Sequence, residues 1–173
     1  MSQAVTEFLV TTAQVGVALA GFSGLIAAIR TASPEGWHPR DIWSLAWMLG
    51  TSMGALMLAL LPMWLSLFDW SDARVYRLAS AILAIYTFVL GGVLARAGRR
   101  LTRNGYPPRV SFFPFVLVSL MALSAVAAAI GALGGWGDAL VAVYAGCIVA
   151  LLLASVLVLA IFLVLLARMA RID

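Results

Sequence analysis

Glu35, His38 and Asp41 recur at intervals of three in the stretch TASPEGWHPRD, residues 31–41. Carboxylate and imidazole side chains can all ligate a divalent metal, so this spacing is the first place to look for chemistry. The pattern lacks support around it. His38 is the only histidine of the chain, and zinc sites usually draw on several nitrogen or sulfur ligands. Pro39 is expected to interrupt any helix that would align the three side chains. Ser33, Pro34 and Glu35 read as a helix cap followed by a first-turn proline, and Asp41 as the cap of the next helix. The sequence therefore predicts no metal, with Glu35, His38 and Asp41 as the residues to check.

Other chemistries are excluded by residue type. All eleven basic residues are Arg, so no lysine can form a Schiff base or a Walker-type phosphate contact. Cys147 is the only cysteine, which rules out a disulfide or a Cys-x-x-Cys pair within the chain. A bis-histidine haem is excluded likewise. No cofactor and no enzymatic activity are expected.

A second pattern is polar without being reactive. Glu7, Thr11 and Gln14, followed by Ala18 and Gly21, recur at intervals of four and three and share one helix face. Gln14 is costly to expose to lipid. It can bond a neighbouring helix, with Ser44, Thr51 and Ser52 as partners, or line a narrow pore in a symmetric oligomer with Glu7 at the mouth. Against the first option, helical hydroxyls tend to bond their own backbone.

Small residues form a third pattern. Gly16, Ala20, Gly24 and Ala28 lie on one four-residue row, and Ala46, Gly50 and Gly54 on another. Such rows let helix backbones approach closely in lipid, where apolar side chains gain little by packing against each other instead of acyl chains. Glycine weakens a helix by about 1 kcal/mol relative to alanine, so close packing is expected to compensate. The plain reading is contact between helices of one chain, the first against the second. The sharper one is a subunit interface.

The elements that carry these residues are membrane-length helices. The chain has 173 residues, 64% hydrophobic and 10% charged, with a mean hydropathy of +1.07. A soluble domain would carry charge on roughly a quarter of its residues. Apolar runs of roughly 20 residues, about 30 Å as helix, mark transmembrane segments. Five are predicted, over residues 8–29, 42–68, 75–95, 111–133 and 139–167. The first lacks a basic leader and a cleavage signal and reads as a retained helix. Pro62 is expected to bend the second. GGWGD, residues 134–138, reads as a tight turn that makes the last two helices antiparallel neighbours. The whole chain is expected to form a single all-α transmembrane bundle of five helices.

Arginine placement sets the expected orientation. Arg30, Arg40, Arg96, Arg99, Arg100, Arg103, Arg109, Arg168 and Arg171 fall on one side, and Arg74 and Arg77 on the other. The positive-inside rule then puts the N-terminus outside and the C-terminus in the cytoplasm. Trp37, Trp43 and Tyr106 on the inner side, and Trp64, Trp70, Tyr76 and Trp136 on the outer, read as interfacial belts. The expected location is a multi-pass position in a bacterial inner (plasma) membrane. Arg96, Arg99, Arg100 and Arg103 are helically spaced and could contact anionic lipid if the third helix continues beyond the bilayer. The isoelectric point near 10.0 follows from this topology and does not indicate nucleic acid.

No ionisable residue falls near the centre of a predicted span, which argues against a proton relay. Three readings follow. The first is a non-enzymatic membrane protein that self-associates, or joins another membrane subunit, through its small-residue faces. The alternative is a passive homo-oligomeric channel lined by the first helix. The third is a membrane enzyme built on the Glu35, His38 and Asp41 loop.

Overall fold

The structure, a computed structural model, describes residues 2–31, 38–108 and 110–169. It contains five long helices: α1 (Gln3–Thr31), α2 (Pro39–Leu65), α3 (Asp72–Arg103), α4 (Phe113–Ala132) and α5 (Leu140–Met169). Short 3₁₀ turns follow α2 at Ser66–Phe68 and precede α5 at Gly137–Ala139. There is no strand among the described residues. All five helices are long and apolar enough to cross a bilayer.

The helix ends follow from local chemistry. Pro39 occupies the first position of α2, where its missing N–H leaves no bond unmade. The cap is His38, whose Nδ1 accepts from the backbone N–H of Arg40 at 3.2 Å. Asp41, expected at the cap, lies inside the first turn, where a carboxylate complements the helix dipole. α3 stops at Asn104-Gly105, with Gly105 at φ +85°. The amide of Gly105 donates to Thr102 O (3.3 Å) and that of Tyr106 to Leu101 O (2.9 Å). α4 ends the same way at Gly134 (φ +84°), with Gly134 bonded to Gly131 O (3.0 Å) and Gly135 to Ile130 O (2.9 Å). Both are Schellman closures that satisfy otherwise orphaned carbonyls.

α2 is the central helix. It packs against α1, α3 and α5, while α4 bridges α3 and α5; α1 rests mainly on α2 and less on α5. Trp47, Leu83, Leu117, Ile148 and Leu151 fill the centre. The buried hydroxyls of Thr12, Ser23, Thr51, Ser52 and Thr87 bond carbonyls of their own helices, as when Thr51 bonds Trp47 O and Ser52 bonds Met48 O, both at 2.8 Å. Pro62 within α2 leaves the carbonyl of Leu58 without its helical donor. Tyr144 of α5 supplies that donor at 2.6 Å.

α3 extends beyond its apolar run, the condition set for lipid contact by its arginines. Its apolar run ends at Ala95, but the helix continues two more turns through Arg96, Arg99, Arg100 and Arg103. The interfacial belts are corrected. Trp43 and Tyr76 are buried in the bundle, and the Trp43 indole donates to Leu94 O of α3 at 2.8 Å. An indole at a span end looks the same in sequence whether it bonds a headgroup or a neighbouring helix. Trp64 is exposed, as a belt residue would be.

Candidate functional site

The first helix presents its polar stripe outward. Glu7, Thr11, Gln14, Ala18 and Gly21 are all exposed on the side of α1 away from the bundle. Thr11 donates to Glu7 O (2.8 Å) and Gln3 to Glu7 Oε1 (2.7 Å), so the upper stripe is satisfied within α1. Gln14 has no hydrogen-bond partner among the described residues. Thr51 and Ser52, expected as partners, are buried in α2 and bond their own helix.

The glycine row of α1 divides between two directions. A Cβ added to Gly16 would lie 3.0 Å from Ser52 O and 3.1 Å from Leu56 N, so here the backbones of α1 and α2 approach closely. At Gly24, and at Gly21, a Cβ would meet nothing within 4 Å. Ala20 is half-buried and Ala28 exposed. Geometry explains the division: four-residue steps overshoot one turn by about 40°, so the row winds about 120° from Gly16 to Ala28. Phe22 and Leu25 project beside the open glycines, giving the outer face both hollows and knobs.

The second row serves a different purpose from the one expected. Gly50 and Gly54 do not bring backbones together. They make room for large side chains of α3: a Cβ on Gly50 would lie 2.8 Å from Leu90 Cδ1, and one on Gly54 would strike the ring of Tyr86. Tyr86 lies across this hollow and donates to Gly50 O at 2.6 Å. Ala46, the first member of the row, is half-buried.

At the other end of α2 the structure assembles a polar clamp that the sequence did not disclose. Arg40 is 5% exposed. Its Nε and Nη2 donate to Tyr106 O (2.8 and 2.6 Å), and Nη2 also to Thr102 Oγ1 (2.6 Å) and Gly98 O (3.3 Å). Trp43, one turn further on, lies against Gly98, where a Cβ would come within 3.2 Å of the indole. Arg40 and Trp43 thus grip the extension of α3 from one face of α2. Their spacing of three was the available signal, hidden because Arg40 also fits a topology arginine.

Of the metal pattern, His38 and Asp41 lie among the described residues. His38 is engaged as a cap and lies edge-on to Tyr106, with ring centroids 5.4 Å apart. Asp41 is buried, and Glu35 lies outside the described residues. No cluster of three metal-ligating side chains occurs among the described residues. Arg96, Arg99, Arg100 and Arg103 are all exposed on α3.

These features define a class: an all-helical chain with five apolar helices of membrane-spanning length, consistent with a multi-pass membrane protein. Comparison with protein-family models, with curated proteins and with solved structures returned no match.

Proposed function

We propose that the protein is a non-enzymatic integral membrane protein that associates through the outer face of α1, with a second copy of itself or as an accessory subunit of another membrane protein. The observation that carries this reading is Gln14. Its amide is exposed about 16 Å along α1 from Gln3 and has no partner among the described residues. An amide at that depth is satisfied most readily by a facing helix. Gly21 and Gly24 leave the adjoining surface hollow, which favours a close approach. We further assign the N-terminus to the outside and the C-terminus to the cytoplasm, on the arginine distribution.

Cysteine cross-linking tests the interface. In a Cys147→Ala background, oxidation in membranes should join copies carrying Gln14→Cys or Gly21→Cys, and should not join copies carrying Gly16→Cys. Absence of a Gln14→Cys adduct, with the protein also monomeric in detergent, would remove self-association. Association with a different subunit would then be read by co-purification from membranes. A channel around the same face is the second reading, favoured by Glu7 and Thr11 lying above Gln14 on one exposed side. It requires vesicles containing the protein to leak small ions, with the leak altered by Gln14→Leu or Glu7→Gln.

A further inference from the structure

The clamp around Arg40 borders an open cleft that the α1 interface leaves unused. The cleft has a volume of about 500 Å³ and lies between the end of α3 and the beginning of α4. One end is lined by Arg40, Arg99 and Thr102, and the other, deeper along both helices, by Ala95, Phe115 and Val118. From Thr102 to Ala95 is about 10 Å along the helix.

Its electrostatics are one-sided. Every hydrogen bond of the Arg40 side chain among the described residues goes to a neutral oxygen: two carbonyls and one hydroxyl. Holding a cation out of water on neutral acceptors alone is unfavourable, so the site gains from a counter-charge. Among the described residues, no acid lines the cleft. Asp41, the neighbouring acid, lines a smaller cavity on the α5 side. Arg99 reaches into the cleft from α3 and makes no ion pair among the described residues. With no acid between them among the described residues, the two guanidinium groups suit a phosphate, which Arg99 can meet with paired donors and Arg40 with Nη1, its one guanidinium nitrogen that makes no hydrogen bond among the described residues.

The apolar end indicates what carries the phosphate. Phe115 is 74% exposed, so this wall continues directly onto the outer surface of the bundle, where a soluble anion would leave it uncovered. We propose that the cleft binds an anionic phospholipid, its headgroup phosphate held between Arg99 and the accessible edge of Arg40, and an acyl chain laid over Ala95, Phe115 and Val118. This differs from a diffuse contact along the exposed arginines of α3, because Arg96, Arg100 and Arg103 do not line the cleft.

The test is lipid retention by the full-length protein, measured by native mass spectrometry after exchange into detergent with dioleoyl-phosphatidylglycerol or dioleoyl-phosphatidylcholine. Wild type should retain phosphatidylglycerol selectively. Arg99→Gln should lower that retention about tenfold, the loss expected for one charge-assisted contact. Val118→Trp should lower it by filling the apolar end with the charges intact. Arg96→Gln and Arg103→Gln should behave as wild type, and a molar excess of glycerol 3-phosphate should not compete. Arg99 is an exposed side chain, so its replacement leaves the fold in place even if Val118→Trp does not. Equal retention of the two lipids, no effect of Arg99→Gln, or equal effects at Arg96 and Arg103 would each overturn the proposal. Full competition by glycerol 3-phosphate would assign the cleft to a soluble phosphate and overturn it as well.

Discussion

Tyr144 donates its hydroxyl to the carbonyl of Leu58 at 2.6 Å, completing the bond that Pro62, four residues after Leu58, cannot make. In a lipid setting an orphaned carbonyl has no water to turn to. Tyr144→Phe should therefore destabilise the bundle by about 1 kcal/mol. In a Pro62→Ala background the loss should be smaller, since that replacement restores the helical N–H. Unfolding followed by circular dichroism in mixed micelles measures both. Equal losses in the two backgrounds would mean that the Tyr144 hydroxyl does not stand in for the donor missing at Pro62.

Gly16 and Gly24 should respond oppositely to the same substitution. Gly16→Leu drives a side chain into the α2 backbone and should cost about 1–3 kcal/mol of stability, the range for overpacking. Gly24→Leu meets open space and should leave the fold intact. Any loss it causes should appear in association, read by analytical ultracentrifugation in detergent.

Gly54→Ala should be among the more damaging alanine substitutions, because its methyl group meets the ring of Tyr86. A loss of about 1–3 kcal/mol is expected. Shortening the opposing side chain in the double variant Gly54→Ala, Tyr86→Leu should recover part of it. Thermal melts of the three variants decide the point, and additive losses would place the damage elsewhere.

Trp43→Phe removes the donor to Leu94 O while keeping most of the ring. The extension of α3 should then open more often, with amide exchange over residues 96–103 about fivefold faster, the equivalent of one hydrogen bond. Arg40→Lys should do likewise, because an ammonium cannot reproduce the branched contacts of the guanidinium. Unchanged exchange in both variants would show that the extension stands without the clamp.

The five helices were legible because each needs a long apolar run, and composition alone reveals such runs. Their ends were less so. The arginines after Ala95 stop the apolar count at a position where the helix does not stop, since Ala, Arg and Leu favour helix whether or not lipid surrounds them. The true end, Asn104-Gly105, is a local signal that hydropathy does not weigh. That Glu7, Thr11 and Gln14 share one face of α1 followed from helical period, whereas its pointing away from the bundle did not. Which glycines touch a neighbour did not, because that depends on the helix opposite: α2 beside Gly16, nothing beside Gly24, and the Tyr86 ring beside Gly54. Arg40 escaped for a similar reason. Its acceptors, Gly98, Thr102 and Tyr106, lie about 60 residues away in the chain and carry no charge that would mark them.

The bond between Tyr144 and Leu58 joins residues 86 positions apart, and this separation imposes an order on biogenesis. At ribosomal rates the second span waits on the order of ten seconds for the fifth to be synthesised. Through that interval the Leu58 carbonyl lacks the Tyr144 donor that completes its bonding in the folded bundle. Maturation of the second span thus concludes only when the final one is inserted, and a chain truncated before Tyr144 would keep that seam open.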